Sequence, residues 1–280
     1  MVPNKKIIAL VCLCFAFMTV IGQEKAMTFN IRYNNPDDGE NSWENRKRDV
    51  VKLLEYYGPG FFGIQEGLFG QLNYIDKELP GYSYVGVGRD DGAQKGEFTA
   101  IFYNDEKYKS IKTETFWLSE TPNEISVGWD ASMERICTYA VFQNKENKST
   151  LYVFNAHFDH IGEKARKMSA KVIRRKIEDL GIQNEPLLVM GDFNSLKEDE
   201  TIHVFNQFLN DGISKSTKGL YGPKGTFNGF DETLIPKKRI DYIFTKNIKT
   251  IVSYRHINDK RNNGLCVSDH LPVLVEFEID

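Results

Sequence analysis

Carboxylates, amides and imidazoles recur at the ends of apolar, strand-like runs in this 280-residue chain. Met190-Gly191-Asp192-Phe193-Asn194-Ser195 follows such a run directly, so Asp192 and Asn194 leave one strand on the same side. A purely structural turn, with Asp or Asn bonding its own backbone, is the competing reading. Leu151-Tyr152-Val153-Phe154 runs into Asn155-Ala156-His157-Phe158-Asp159-His160, and alternation aligns Asn155, His157 and Asp159. His157 and His160 fall on opposite faces, which argues against a zinc pair. Asp241 sits among apolar neighbours in Arg239-Ile240-Asp241-Tyr242-Ile243-Phe244, where an unpaired carboxylate is costly. Ser268-Asp269-His270-Leu271-Pro272 sets an acid beside an imidazole. Adjacent side chains point different ways, so Asp269 and His270 have separate jobs.

Other positions are less distinctive alone. Asn30 lies opposite Phe29 and Ile31 in the alternation and reads equally as a solvent-facing residue. Glu66 follows Phe62-Gly63-Ile64-Gln65, where it is either a site carboxylate or an acid stabilised by the next helix. Glu97 and Arg135 flank strand-like runs and read as surface charge on their own. Phe227, in Lys224-Gly225-Thr226-Phe227-Asn228-Gly229-Phe230, is placed to stack on a base or sugar, or to anchor its loop.

The elements that must position these groups follow an α/β grammar. Strand Met27 to Arg32, helix Trp43 to Tyr57, strand Phe61 to Gln65 and helix Phe69 to Glu78 open it. Strands follow around Tyr82 to Val87, Thr99 to Tyr103, Thr113 to Leu118 and Ile136 to Phe142, with no clear helices between them. Strand Leu151 to His157, helix Lys164 to Leu180, and strands Leu187 to Met190, Ile240 to Thr245 and Val273 to Phe277 complete the pattern. Mixed sheets fit better than a purely parallel one. The Gly- and Lys-rich stretch from Asn210 to Lys238 has little periodicity and reads as a functional loop.

Taken in order, Asn30, Glu66, NAHFDH, GDFNS, RIDYIF and SDHLP resemble the endonuclease/exonuclease/phosphatase (deoxyribonuclease I-like) superfamily, from Asn30 to His270. The resemblance implies a four-layer α/β sandwich of two packed mixed sheets flanked by helices. It further implies a hydrolase of phosphoric esters using Mg²⁺ or Mn²⁺, which suit hard oxygen ligands. Carried over by motif, Glu66 is the principal metal ligand, with Asn30 and Asp269 in or beside the metal's shell. His270 is the general base, oriented by Asp241; Asp192 aligns water or a second metal, or is itself the base. Asn194 and His157 donate to nonbridging oxygens, Glu97 orients His157, and Arg135 reaches the phosphate.

Composition limits the substrate only partly. Lys5-Lys6 followed by the apolar run Ile7 to Ile21 reads as an export signal, residues 1–22, ahead of one domain over 23–280. That run is shorter than the roughly 18 to 20 residues of a spanning helix, so a periplasmic or extracellular protein without a membrane span is expected. Loss of residues 1–22 takes Lys5 and Lys6 from 36 basic residues and none of the 39 acids, leaving a net charge of −5. That excludes a protein coated in positive charge for gripping duplexes. Two cysteines remain, Cys137 and Cys266, read as free thiols with one bridge as the alternative. The GDFNS and IDYIF forms look closest to nuclease and deadenylase branches, so a nuclease acting on an RNA or DNA phosphodiester is the first expectation. A phosphatase or phosphodiesterase for a small phosphorylated metabolite and a non-catalytic phospho-ligand binder are the alternatives.

Overall fold

The computed structural model describes residues 23–279, so the expected export signal lies outside the described residues. Strands and helices follow as β1 (Glu24–Asn30), α1 (Trp43–Tyr57), β2 (Phe61–Gln65), α2 (Phe69–Glu78), β3 (Tyr82–Val85), β4 (Ile101–Asn104), β5 (Tyr108–Trp117), β6 (Ile136–Asn144) and β7 (Thr150–His157). The second half holds α3 (Glu163–Asp179), β8 (Leu187–Asp192), α4 (Glu200–Asn206), β9 (Asn210–Asp211), α5 (Gly212–Lys215), β10 (Leu220–Tyr221), β11 (Asp241–Lys246), β12 (Thr250–His256) and β13 (Val273–Glu278). A short 3₁₀ helix, Pro36–Asn41, precedes α1.

Two mixed sheets result, a seven-stranded one ordered β10-β12-β13-β1-β2-β4-β3 and a six-stranded one ordered β5-β6-β7-β8-β11-β9. Ala26, Phe61, Phe142, Val153, Leu188, Met190, Ile243 and Val275 fill the space between their inner faces. The outer face of the first sheet packs on α1 and α2 through Phe62, Ile64, Val50, Leu54, Leu72 and Ile75. The outer face of the second packs on α3 and α4 through Phe154, Val189, Phe244, Ile173, Ile177 and Phe205. Helix, sheet, sheet, helix are the four layers expected. Each such buried side chain contributes roughly 1.5–3 kcal/mol, which is why the unbroken apolar runs become central strands.

Local sequence sets the boundaries. Helix α1 ends where Gly58 adopts the left-handed conformation, φ 52°, and returns its N–H to the Leu54 carbonyl. β1 stops at Asn30, earlier than the expected Arg32, because Arg32 turns the chain at φ 58°. β3 likewise ends at Val85, ahead of Gly86 at φ 132°. The aperiodic stretch to Lys238 carries the short elements β9, α5 and β10. Cys137 and Cys266 are both buried free thiols. None of the described helices is long and apolar enough to cross a membrane.

Gly63 and Asn155 let the sheets close on each other. A Cβ at Gly63 would lie 2.6 Å from the Asn155 side chain, so only glycine fits there. Asn155 uses that space to donate to the carbonyls of Ile64 and Ala100, at 2.9 and 2.8 Å, and to accept from Gln65. Its polarity bolts one sheet to the other instead of serving the chemistry aligned with it in sequence.

Candidate active site

The carboxyl ends of β7, β8 and β11 place three polar residues in one row. His157 stands beside Asp192 across the parallel pair, and Asp192 stands opposite Asp241 across the antiparallel pair. Gly191 makes the row possible: at φ 150° any Cβ would sit 2.0 Å from the Ala156 carbonyl oxygen. The other sheet faces this row with Asn30 at the end of β1, beside Gln65, and with Glu66 one residue on at φ 60°.

Asn30 joins the two sheets' contributions. Its amide nitrogen donates to Glu66 Oε1 at 2.9 Å and to Asp192 Oδ2 at 3.0 Å, and lies 3.5 Å from His270 Nε2. Its oxygen is taken by the Arg32 N–H at 3.0 Å. This arrangement turns the amide donor toward the carboxylates, so Asn30 bridges Glu66 and Asp192 while its oxygen keeps a second lone pair. Glu66 also accepts the Tyr33 N–H at 3.2 Å.

His270 Nδ1 lies 3.0 Å from Asp241 Oδ2, which fixes the ring and assigns that nitrogen as the donor. Nε2 then faces Asp192 Oδ2 at 3.7 Å. Burial alone pushes this imidazole down, but the charges of Asp241 and Asp192 outweigh it and hold His270 well above the ordinary value. Asp241 is itself positioned by Thr226, whose hydroxyl receives the N–H groups of Ile240 and Asp241. Asp269 projects beside Glu66, its backbone carbonyl clamped by the N–H groups of Asn228 and Gly229. Burial raises the Asp269 carboxyl; His270 opposes that rise and the charge of Glu66 adds to it.

His157 lies in a different setting. Its Nε2 is 3.6 Å from Asp192 and 3.3 Å from Asn194 Nδ2, while Nδ1 is 3.6 Å from Glu97. Burial opposes ionisation of Glu97, yet its bond to His157 and the charges of His157, Arg89 and Arg135 bring it to about 2. Arg135 completes this cluster. Only 4% exposed, its guanidinium lies 3.3 Å from Asp159, 3.3 Å from His157 Nδ1 and 2.9 Å from His160 Nδ1. It braces both imidazoles and ties them to Asp159. Phe227 sets its ring edge-on to His270 at 5.1 Å.

Sequence reasoning passed over two residues that hold the site. Arg46 is fully buried and donates to the carbonyls of Asn41, Ile31, Arg32 and Val267, tying the exit of β1 to the loop that carries Asp269. Gln71 adds a second donor to the Arg32 carbonyl, at 3.0 Å. The remote apolar neighbours of Arg46 in α1, at helical spacing, were the available signal. Volume is no guide to the site: a cavity of about 800 Å³ between β5 and α3 contains none of these residues.

The donor chemistry fits a hard divalent cation at Glu66 and Asp269, two oxygen ligands whose like charges oppose each other. Asp192, Asp241 and His270 also bring one ligand-type atom each within 4.8 Å of one another. There the 3.0 Å bond to Asp241 already occupies His270 Nδ1, which makes the oxygen-rich side the better seat.

A two-sheet sandwich with acids, amides and a carboxylate-held imidazole along one rim defines a hydrolase site for phosphoric esters. The chain belongs to the Endonuclease/Exonuclease/phosphatase family, which it matches over residues 27–270. Members of that family hydrolyse phosphoester bonds and are generally dependent on divalent metal. A crystal structure of a family protein from Bacteroides thetaiotaomicron is 36% identical, covering 92% of this chain and 98% of its own, at a TM-score of 0.88. The mannosyl-6-phosphatase of the same organism is also 36% identical, covering 91% and 99%, at a TM-score of 0.86. The 3'-5'-exoribonuclease subunit Ccr4 of the CCR4-Not complex of Mycosarcoma maydis is 22% identical; the match takes in 85% of this chain and 46% of Ccr4.

Proposed function

We propose that the chain is an exported, Mg²⁺- or Mn²⁺-dependent phosphatase that releases inorganic phosphate from a small phosphorylated metabolite, a sugar phosphate first among them. The observation that carries the hydrolytic part is the meeting of Glu66, Asp192 and His270 around the Asn30 amide, each within 3.5 Å of it. The choice of a small monoester rests on 36% identity over nearly the whole of a mannosyl-6-phosphatase, against 22% to an exoribonuclease subunit. The acidic balance of the chain agrees, since a polynucleotide substrate rewards positive charge. This moves the preference from the nuclease expected first to its alternative.

In this reading water attacks phosphorus, the bond to the leaving oxygen breaks, and an alcohol and inorganic phosphate result. His270 takes the water's proton at Nε2, and Asp241 stabilises the imidazolium so formed. Asp192 aligns the water, while Asn194 and His157 donate to the nonbridging oxygens. Glu66 and Asp269 would hold the divalent ion, which supplies Lewis-acid polarisation and draws positive charge away from His270.

The test compares hexose 6-phosphates, p-nitrophenyl phosphate, its bis-aryl diester and single-stranded RNA, with Mg²⁺ and with chelator. Hexose phosphate and monoester turnover at least about tenfold above the diester, abolished by chelator, is expected. RNA shortening without phosphate release from any monoester would overturn the reading. Export is tested by sequencing the mature N-terminus, expected at Gln23.

A further inference from the structure

The mechanism above uses the phosphate end of a substrate and leaves its alcohol end without a seat. A hollow of about 350 Å³ opens beside His270, sharing Asn194 with the site and bounded by Phe227, Lys238 and Asp199. We propose that this hollow is the leaving-group subsite, and that its side chains select a neutral, ring-shaped polyol of hexose size. The proposal rests on the reading of the chain as a phosphatase for small metabolites and names the part of the substrate that reading leaves open.

Three observations carry it. The first is size: 350 Å³ lies at the lower end of the range for ligand pockets, enough for one sugar ring. The second is the state of the polar groups. Lys238 has its backbone fixed, because its carbonyl receives the N–H groups of Thr226 and Phe227. Among the described residues its ammonium forms no hydrogen bond or ion pair, unlike the paired ammoniums of Lys107 and Lys176. Asp199 stands at the N-cap position of α4 but makes no side-chain cap bond there. Oδ2 accepts the Leu196 N–H at 2.8 Å, and the second oxygen keeps its lone pairs for another donor.

The third observation is the combination. Phe227 is 36% exposed, packs in a T-shaped contact with His270 and lines the hollow with its aromatic ring. An aromatic face suits the C–H face of a sugar, a carboxylate accepts from hydroxyls, and an ammonium donates to them. The carboxylate and ammonium cancel in charge, so the subsite has no net attraction for a second phosphate, and it desolvates charge if offered an acyl chain. A polyol satisfies all three groups at once.

The experiment measures kcat/KM in Mg²⁺ for hexose 6-phosphate, glycerol phosphate and a nucleoside monophosphate, with wild type, Asp199→Asn and Lys238→Met. Wild type should favour the hexose ester. Each variant should lower that preference over glycerol phosphate by about tenfold, mainly through KM, because contacts made equally in ground and transition state are lost. Both substitutions keep side-chain volume, and unchanged thermal unfolding shows that the variants fold. Unchanged preference in both variants overturns the proposal, as does a preference for the nucleoside ester that these variants reduce. If wild type releases phosphate from none of the three, the underlying reading has failed instead, and the two failures are distinct.

Discussion

Glu66 and Asp269 on one rim of the site, and Glu97 and Asp159 on the other, are carboxylates of similar burial in opposite electrical surroundings. Asp159 accepts from Ser132, Ile161, Gly162 and Arg135, and these bonds outweigh burial to hold it far below the usual range. Glu97 has Arg89 at 2.8 Å and His157 at 3.6 Å. By contrast Asp269 is raised, and the cation beside Glu66 is the flank of Arg32, at 4.0 Å, whose guanidinium is committed to Asp38. The paired rim is complete as protein and gives His157 a fixed pose. On the proposed mechanism the other rim is completed by a cation, because buried like charges are costly until something neutralises them.

Removing a carboxylate from each rim should therefore have unlike effects. If Glu66 holds the cation as proposed, Glu66→Gln takes away its principal oxygen ligand, and kcat/KM should fall on the order of 10³-fold or more. In metal-free buffer the same change relieves repulsion, so the thermal midpoint should hold or rise, while the upward shift caused by Mg²⁺ in wild type should vanish. A variant that still gains its full shift from Mg²⁺ would show that the cation sits elsewhere. On the paired rim, Arg135→Met removes the guanidinium shared by Asp159, His157 and His160, and loss of one partner of a buried pair costs about 3–5 kcal/mol. Its midpoint should drop by roughly 10 °C at this chain length, with the Mg²⁺ shift retained. Equal losses of stability from the two variants would remove the distinction between the rims.

Much of this arrangement was legible beforehand. Helices Trp43–Tyr57 and Phe69–Glu78 coincide with their sequence reading because apolar spacing and the Gly58-Pro59 break mark them. Asp192, Asp241 and His270 announced themselves as polar groups in or beside apolar runs, the pattern that burial makes costly unless partners exist. What escaped was set by distant backbone. Arg46 looks like one charge among Glu44-Asn45-Arg46-Lys47-Arg48; its helical face hints at burial, but its role is set by the distant carbonyls of Ile31, Arg32 and Val267. Arg135 reads alone as surface charge, yet Asp159 and the two histidines hold it in the interior. Strand β12 was missed because a bulge between Ile251 and Ser253 breaks its alternation, and α4 because seven residues barely show a helical period.

Beyond both rims, His256 on β12 tests whether burial without a counter-charge behaves as the comparison implies. Burial, aided by the charge of Arg239, lowers this imidazole to about 4, although its bond to the Pro223 carbonyl and Asp211 oppose the shift. Its folded value thus lies below the ordinary 6.5, so the unfolded chain takes up the proton first as pH falls. Stability from this group is intact above about pH 6.5 and is lost progressively toward pH 4, by about 3 kcal/mol in all. His270 has the opposite shift, and its contribution is full below pH 6.5 and lost as pH rises through its raised value. His256→Asn keeps a donor for Pro223 and removes the titration. Urea unfolding at pH 7 and pH 4.5 should show a smaller acid loss in the variant than in wild type, and equal losses would mean that the buried imidazole is not what makes the fold acid-sensitive.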